Sequence, residues 1–440
     1  MKGLDHALAS LAAVPLSLDA GKLCRVTGPL MEVSGCPLAI GQRCEIETAH
    51  RQRIVAEVVG FNRELTYLMP LQNPSGLHSG ARVFPAGNSA GLAIGEEWLG
   101  RIFNGLGEPV DEAGPVGGAF VVPDQLPAVP ALKRRPVSDP LDVGIRAING
   151  FLTLGRGQRV GLMAGSGVGK SVLLGMMARA TEAQIVVVGL IGERGREVNE
   201  FLNHTLGEQG RKKAIVIVAP ADESPLMRLK ATELCHTVAA FFRDQGFHVL
   251  LMIDSLTRYA MAQREIALSL GEAPATKGYP ASVFSLIPRL VEAAGNGEGT
   301  GSLTAIYTVL AEGDDQQDPI VDAARAVLDG HIVLSRTLAE AGHFPAIDIS
   351  QSVSRCMSLV ASDDHRRAAR QLRQQYARFR EIKPMMALGG YVAGADPEVD
   401  LAVEQSPSLH RFLQQEEQQL SSFADSRQQL LALAHGTAGE

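Results

Sequence analysis

Two patterns of hydrophobic and polar positions divide the chain before residue 360. Within residues 22–92, short apolar stretches alternate with Gly, Pro and Asn turns; they cover residues 23–26, 44–46, 54–59, 67–69 and 81–84. Short strands at this spacing predict a small β-barrel or β-sandwich. Residues 1–21 would precede it as a short N-terminal segment.

From residue 159 onwards, longer apolar runs alternate with helical patterns. The runs cover residues 159–164, 185–191, 214–219, 249–253 and 303–309. This alternation predicts a parallel sheet with helices on both faces, an α/β domain that we place at residues 93–360. Its first part, residues 93–142, is rich in Gly and Pro and is typical of a connector. After residue 360, Gln, Arg, Leu and Ala dominate, which predicts a C-terminal helical domain over residues 361–440.

A glycine-rich loop lies between the first of these runs and a helical pattern. It reads Ala164-Gly165-Ser166-Gly167-Val168-Gly169-Lys170-Ser171 and is followed by Val172. In such a loop, backbone N–H groups point into one concavity, and glycine lets an anion approach without a Cβ in the way. The following helix N-terminus adds positive charge. We therefore predict that nucleotide is bound by Gly165, Gly167, Val168, Gly169, Lys170, Ser171 and Val172, although an ordinary Gly-rich connection is the alternative.

Within this loop, two side chains have distinct expected roles. Lys170 would reach the β- and γ-phosphates of ATP, and the Ser171 hydroxyl would ligate Mg²⁺. Asp254 ends a buried-strand pattern at residues 248–254 and suits the carboxylate that orients the water around Mg²⁺. The alternative for Asp254 is a cap on the next helix.

A second carboxylate, Glu193, follows the run at residues 185–191. A carboxylate at this end of a parallel strand faces the crevice in which an α/β sheet binds its ligand. Glu193 is therefore a candidate for polarising the attacking water, with Arg194 close to the phosphates. A surface charge cluster at a helix N-terminus would explain the two residues equally well.

Composition narrows the class of protein. The chain has 440 residues, enough for two or three domains, and its 41 Lys+Arg against 48 Asp+Glu suit an enzyme rather than a nucleic-acid coat. Five scattered cysteines without a C-x-x-C pair predict neither a disulfide framework nor a zinc site and favour a reducing cytosol. No long apolar run occurs, so we expect neither a membrane span nor secretion.

Longer motifs resemble a known family. Besides the glycine-rich loop, they are residues 190–197 (Leu-Ile-Gly-Glu-Arg-Gly-Arg-Glu), 254–258 (Asp-Ser-Leu-Thr-Arg), 312–319 (Glu-Gly-Asp-Asp-Gln-Gln-Asp-Pro) and 342–348 (Gly-His-Phe-Pro-Ala-Ile-Asp). They resemble the type III protein-export ATPases, which are similar to the catalytic subunits of F- and V-type ATPases. The resemblance implies a P-loop NTPase core with a RecA-like parallel sheet, an N-terminal β-barrel and a C-terminal helical domain. It also implies a homohexamer with ATP and Mg²⁺ at each subunit interface.

The same resemblance implies a role for each candidate site residue. Lys170 and Ser171 match the phosphate loop, and Glu193 matches the catalytic carboxylate. Arg194 matches a phosphate contact, and Asp254 the aspartate that holds Mg²⁺ through water.

Two further matches lie late in the α/β domain. Arg355, which alone would more often be a salt-bridge residue, matches the arginine finger supplied to the neighbouring subunit's site. Phe344 matches the aromatic residue that stacks on adenine, where the family usually has Tyr, and a ring face is all that stacking needs.

Two segments favour the flagellar branch of the family over the injectisome branch. Residues 276–280 (Thr-Lys-Gly-Tyr-Pro) and 314–319 (Asp-Asp-Gln-Gln-Asp-Pro) resemble the flagellar pattern, whereas injectisome relatives tend to have Arg-Gly-Tyr-Pro in the first. This branch implies ATP hydrolysis that assists protein export through chaperone release and substrate unfolding. It implies a stator-like regulator, a central stalk protein, the export gate and chaperone–cargo complexes as partners. The expected location is cytoplasmic, peripheral to the export apparatus at the inner membrane.

Two other classes of protein remain as alternatives. A non-catalytic nucleotide-binding subunit of a rotary assembly would typically lack the carboxylate that Glu193 supplies. A ring-shaped RNA translocase would need an RNA-reading N-terminal domain, but residues 1–97 hold 8 Lys+Arg against 9 Asp+Glu and few aromatics, so we expect no nucleic acid.

Two segments allow more than one interpretation. Residues 365–383 hold seven basic residues, which indicate either a solvated helix face or a contact with the export gate, the stalk or anionic lipid. Residues 7–18 could form a short apolar helix, interrupted at Pro15, for the stator-like regulator.

Overall fold

The computed structural model describes residues 20–86, 91–123, 129–311 and 318–436. The candidate regulator segment at residues 7–18 lies outside the described residues, as does most of the 312–319 motif. The described residues form two compact units: residues 20–86 with 223–227 and 265–273, and the remainder.

The first unit contains a closed, antiparallel, six-stranded barrel in the order β1-β2-β5-β4-β3-β6. Its strands are β1 (Gly21–Thr27), β2 (Leu30–Ser34), β3 (Arg43–Glu47), β4 (Arg53–Phe61), β5 (Leu65–Pro70) and β6 (Arg82–Pro85). Alternate residues point inwards, so that Cys44 and Ile46 of β3 are fully buried while their neighbours are not. Closure pairs every strand on both sides and leaves no open edge.

The second unit is built on an eight-stranded sheet in the order β20-β19-β12-β18-β15-β13-β14-β8. All neighbours pair in parallel except β19 and β20. Its strands are β8 (Ile102–Phe103), β12 (Arg159–Ala164), β13 (Ile185–Ile191), β14 (Ala214–Ala219), β15 (His248–Asp254), β18 (Ser302–Leu310), β19 (Gly330–Val333) and β20 (Val353–Ser354). Every residue of β13 is buried, as expected of a strand covered on both faces.

In the part of the chain that the structure describes, three small two-stranded sheets accompany the large one. They pair β7 (Leu92–Ile94) with β9 (Phe120–Val122), β10 (Pro140–Leu141) with β11 (Leu154–Gly155), and β16 (Pro274–Thr276) with β17 (Tyr279–Pro280). The Gly- and Pro-rich residues 93–142 thus supply several short strands, and one of them, β8, joins the central sheet.

Helices flank the sheet and form the end of the chain. They are α1 (Arg146–Phe151), α2 (Lys170–Ala180), α3 (Gly195–Glu200), α4 (Gly207–Lys212), α5 (Pro225–Asp244), α6 (Leu256–Ser269), α7 (Ala281–Glu292), α8 (Pro319–Val327), α9 (Arg336–Glu340), α10 (Met357–Val360), α11 (Asp363–Ala387), α12 (Pro397–Leu413) and α13 (Phe423–Ala434). A π-helix at Phe201–Leu206 and short 3₁₀ turns at Glu96–Trp98 and Ala131–Lys133 complete them. None of the helices in the described part of the chain combines the length and apolar character that crossing a membrane requires.

The C-terminal helices share one core with the sheet domain. Phe412 of α12 packs edge-on against Phe151 of α1, with ring centroids 5.8 Å apart. His365, buried at the start of α11, makes a 2.8 Å hydrogen bond to the Gly150 carbonyl. The predicted α/β fold with an N-terminal barrel and a C-terminal helical domain is confirmed.

Most basic side chains of residues 365–383 have partners within the protein. Four arginines pair with carboxylates, as Arg366–Asp363, Arg367–Asp364, Arg378–Glu398 and Arg380–Asp348. Arg373 donates to the carbonyl oxygens of Phe151 and Ser352. These contacts favour the simpler interpretation of this stretch, a helix face that is partly tied to the sheet domain.

Candidate active site

The carboxyl ends of three parallel strands bring the predicted catalytic groups together. The glycine-rich loop follows β12, Asp254 ends β15, and Glu193 follows β13 by two residues. The register between β13 and β15 pairs Leu190 with Asp254, so both carboxylates emerge where the parallel strands end. We call this side of the sheet its carboxyl-end edge and the opposite side its amino-end edge. An open α/β sheet binds its ligands at the carboxyl-end edge.

The glycine-rich loop has the backbone that its sequence predicts. Gly167 and Gly169 adopt positive φ of 77° and 89°, a region that other residues avoid. Helix α2 begins at Lys170 directly after Gly169. Ser171 and Val172 in its first turn are exposed, whereas Val168 is buried and anchors the loop in the core. The exposed first turn offers N–H groups and the Ser171 hydroxyl to a ligand.

The Lys170 side chain crosses from this loop to both carboxylates. Its Nζ donates to Glu193 Oε1 at 3.2 Å and also to Asp254 Oδ1. The three side chains are only 12%, 11% and 3% exposed for Lys170, Glu193 and Asp254. Thr308 Oγ1 of the neighbouring strand β18 donates to Asp254 Oδ1 at 2.7 Å. We call Lys170, Glu193, Asp254 and Thr308 the Lys170 cluster.

Burial and charge act in opposite directions on the Lys170 cluster. Burial alone would lower the pKa of Lys170, but the carboxylates of Asp254 and Glu193 raise it above its ordinary value. Burial raises the pKa of both carboxyl groups, and the Lys170 ammonium partly opposes this change. Lys170 therefore stays charged and offers a buried cation to an incoming phosphate.

Phe344 lies beside the glycine-rich loop, where a base-stacking residue is expected. A Cβ built on Gly169 would be 3.5 Å from the Phe344 ring, and the Phe344 side chain remains half exposed. On its other side, the Phe344 carbonyl oxygen accepts a 3.0 Å hydrogen bond from the Gln415 backbone N–H. Four residues later, buried Asp348 accepts a 2.8 Å hydrogen bond from Arg380 of α11. The C-terminal helical domain thus holds the segment that presents Phe344.

Two predicted site residues lie outside the Lys170 cluster. Arg194 is 83% exposed, and the one ion pair found for it among the described residues is with Glu197, at 3.7 Å. Arg355 is exposed, and its side chain makes no ion pair or hydrogen bond within the described residues; its carbonyl oxygen accepts a hydrogen bond from the Ser358 hydroxyl at 3.1 Å. Its backbone N–H donates to the Asp329 carbonyl, and the Asp329 N–H donates to the Arg159 carbonyl at the start of β12.

Arg355 therefore lies at the amino-end edge of the sheet, opposite the carboxyl-end edge that carries the glycine-rich loop. The six residues of β12 separate the two edges, and the five steps between them at about 3.3 Å each span about 16 Å. The Arg355 side chain cannot reach the Lys170 cluster of its own chain.

The contact of Thr308 with Asp254 was not predicted from the sequence. Thr308 is a polar residue in the otherwise apolar end of β18, which reads Ala-Ile-Tyr-Thr-Val-Leu. A hydroxyl group at such a position must find a partner when it is buried. This is the signal that could have singled it out.

Comparison with known proteins shows the family to which the chain belongs. Residues 144–354 match the ATP synthase alpha/beta family, nucleotide-binding domain, residues 23–87 match the beta-barrel domain of the same family, and residues 361–432 match the T3SS EscN ATPase C-terminal domain. The "Flagellum-specific ATP synthase" of Pseudomonas aeruginosa is 53% identical over 440 residues, which cover 99% of this chain and 97% of that relative. The chain belongs to the type III protein-export ATPases. The resemblance seen in the motifs is confirmed, and with it the assignment as an ATPase.

Solved structures of the export ATPase family share the architecture. The assembled ATPase EscN of the enteropathogenic E. coli type III secretion system matches with a TM-score of 0.89 and 40% identity, covering 94% of this chain and 100% of EscN. EscN in complex with its central stalk EscO matches with a TM-score of 0.86 and 39% identity over the same shares of the chains.

Proposed function

We propose that this export ATPase hydrolyses ATP at sites shared between neighbouring copies of the chain, and that it does so in flagellar protein export. One observation carries the shared site: the Lys170 cluster and exposed Arg355 lie at opposite edges of one sheet. A neighbouring copy can bring its Arg355 edge to the Lys170 edge of the first. Phosphoryl transfer needs positive charge around the transferred group, and Arg355 would supply it from outside the chain.

Within one chain, each residue of the site has a separate task. Lys170 would bind the β- and γ-phosphates, which compete for the ammonium group that now contacts Glu193 and Asp254. Glu193, freed from Lys170, would orient the attacking water and accept its proton. Phe344 would stack on adenine beside the loop. Arg194 would contact phosphate only after its exposed side chain changes position.

The oxygen atoms of the site suit Mg²⁺. The Ser171 hydroxyl and the Asp254 carboxylate are hard donors of the kind that Mg²⁺ prefers, and the cation keeps several of its own waters. Ser171 would ligate the ion directly and Asp254 through water. When bound, Mg²⁺ neutralises part of the negative charge that develops on the phosphates.

Two comparisons support the assembly and the branch. EscN was solved as an assembled ATPase and with a central stalk, so we propose a homohexameric ring with a stalk protein as partner. Identity is 53% with the flagellar relative and 40% with EscN, which favours flagellar over injectisome export. The stator-like regulator, the export gate, the chaperone–cargo complexes and the peripheral location at the inner membrane stay predictions.

Turnover as a function of protein concentration tests the shared site. Because a single copy holds only part of the site, phosphate release per chain should rise steeply with concentration and level off once assembly is complete. Size measurement by light scattering in the same samples should show the assembly. Constant turnover per chain in samples that contain only single copies would contradict the proposal.

Restored motility tests whether the chain acts in flagellar rather than injectisome export. Expression in a flagellated bacterium that lacks its own flagellar export ATPase should restore swimming, and Glu193→Gln should not. Rescue of an injectisome ATPase deletion alone would favour the other branch.

A further inference from the structure

One hydroxyl group in the Lys170 cluster has no role in the function proposed so far. Thr308 is fully buried near the end of β18, and its Oγ1 lies 2.7 Å from Asp254 Oδ1 and 3.4 Å from the Ile253 carbonyl oxygen. A hydroxyl has one proton to donate, and the shorter contact with a charged acceptor is the stronger one. Thr308 is therefore a donor to the Asp254 carboxylate.

The sheet itself sets this contact. The register of β15 and β18 pairs Ile253 with Tyr307, so the next residue of each strand, Asp254 and Thr308, lie side by side at the sheet edge. A donor fixed on a buried strand holds its acceptor more firmly than one on a flexible side chain. Lys170 reaches Asp254 from the start of α2 through a long side chain with several rotatable bonds.

We propose that Thr308 is a positioning residue that keeps the Asp254 carboxylate oriented for Mg²⁺ while Lys170 is engaged with phosphate. The inference rests on the proposed function, in which phosphate competes for the Lys170 ammonium. When Lys170 turns to phosphate, Thr308 is the donor that stays on Asp254. Both hydrogen bonds described for this carboxylate end on Oδ1, so Oδ2 is the oxygen available to the water around the metal.

The same strand supplies a matched control. Thr304 lies four residues before Thr308 on the same face of β18 and is also buried. Its hydroxyl accepts a 2.8 Å hydrogen bond from the Gly157 N–H. It lies about 13 Å away from Thr308 at about 3.3 Å per residue, so it does not contact Asp254. Thr304→Val therefore removes an equivalent hydroxyl from the same strand without touching the site.

Binding of mant-ADP to the full chain, with MgCl₂ and with EDTA, tests the proposal without turnover. The dissociation constant in EDTA divided by that in MgCl₂ reports how much the metal strengthens binding. Thr308→Val should reduce this ratio by about tenfold, because Asp254 loses a charge-assisted donor. Thr308→Ser, which keeps the hydroxyl, should restore the ratio to within about twofold of wild type, and Thr304→Val should leave it unchanged.

Two results would overturn the role of Thr308: a wild-type ratio in Thr308→Val, or equal reductions in Thr308→Val and Thr304→Val. If thermal unfolding shows that Thr308→Val does not fold, Thr308→Ala also removes the hydroxyl and takes its place. Failure of the proposed function is a separate outcome. It would show in the wild-type chain, as mant-ADP affinity that neither responds to Mg²⁺ nor falls in Lys170→Ala.

Discussion

The two edges of the central sheet differ in how their charged groups are paired. At the carboxyl ends of β12, β13 and β15, Lys170 and two carboxylates are buried and satisfy one another. At the other edge, Arg355 is exposed and has no charged partner among the described residues. A buried cluster of this kind is costly unless paired, whereas an exposed arginine costs little and remains available. This difference supports the proposed function, in which one edge would receive the nucleotide and the other would act on a neighbouring copy.

Arg355→Ala should have the largest effect of the substitutions considered. Turnover should fall by about 10³ to 10⁵, as for arginine fingers in other NTPases, because positive charge at the transferred phosphate is lost. The dissociation constant for mant-ATP should change by less than about twofold, since Arg355 lies far from the binding edge of its own chain. Steady-state phosphate release and fluorescence titration measure the two effects.

Mixed assemblies of two variants test directly whether Arg355 acts on a neighbouring copy. Co-assembled Arg355→Ala and Lys170→Ala chains should recover turnover that neither has alone, because some interfaces then join an intact loop to an intact Arg355. Recovery would be absent if Arg355 served its own chain.

Glu193→Gln tests the opposite edge. Turnover should fall by about 10² to 10⁴, because the group that accepts the proton of water is lost. ATP binding should be kept, since Lys170 contacts the phosphates rather than residue 193 once ATP is bound, and the amide has nearly the size of the carboxylate. Single-turnover phosphate release measures the effect, and Glu200→Gln on the exposed end of α3 is the control. Wild-type turnover in Glu193→Gln would contradict the assignment of Glu193 as the proton acceptor.

Phe344→Ala separates base binding from phosphate binding at the same edge. The affinity for ATP should fall by about tenfold through loss of stacking. Inhibition by inorganic tripolyphosphate should be unchanged, because the Lys170 contacts remain. Phe344→Tyr is the matched control and should bind ATP as the wild type does. Equal losses for ATP and tripolyphosphate would argue that Phe344 only supports the loop.

Arg380→Gln has the smallest expected effect and tests how firmly the binding edge is held. Asp348, 1% exposed, would lose its charged partner but keep hydrogen bonds from Ser350 and Gln351. Because Arg380 is 47% exposed, we expect a loss of about 1–2 kcal/mol in the free energy of unfolding, measured in urea. Arg370→Gln, exposed on the same helix, should change it by less than about 0.5 kcal/mol.

The effect of Arg380→Gln should depend on pH. Burial of Asp348 favours its neutral form, but hydrogen bonds from Ser350 and the charge of Arg380 outweigh this and lower its pKa. A lowered pKa in the folded state stabilises the fold above the unfolded value of about 3.9. The difference between wild type and Arg380→Gln should therefore be constant near neutral pH and shrink as the pH falls below about 4. A difference that grows on acidification would contradict the ion pair.

The parts of the fold that local pattern determines are predictable from the sequence. Strands β12, β13 and β14 occupy the predicted runs residue for residue, because strands buried on both faces must be continuously apolar. Strand β8 was missed because two residues among Gly and Pro carry no periodic signal. The pairing of Thr308 with Asp254 depends on strand register, which the apolar runs do not encode. The distance of Arg355 from its own loop likewise follows from topology.

The position of strand β12 would matter in a ring of several copies. Its last residue leads into the loop proposed to bind the phosphates of ATP, and its first residue is hydrogen-bonded to Asp329, which also holds the backbone of Arg355. In the proposed ring, one stiff rod of about 16 Å would therefore join the nucleotide in one site to the arginine that acts in the next. A shift of the loop on gripping or releasing phosphate would be passed along this rod, so each copy would serve as a mechanical relay that lets adjacent sites fire in turn.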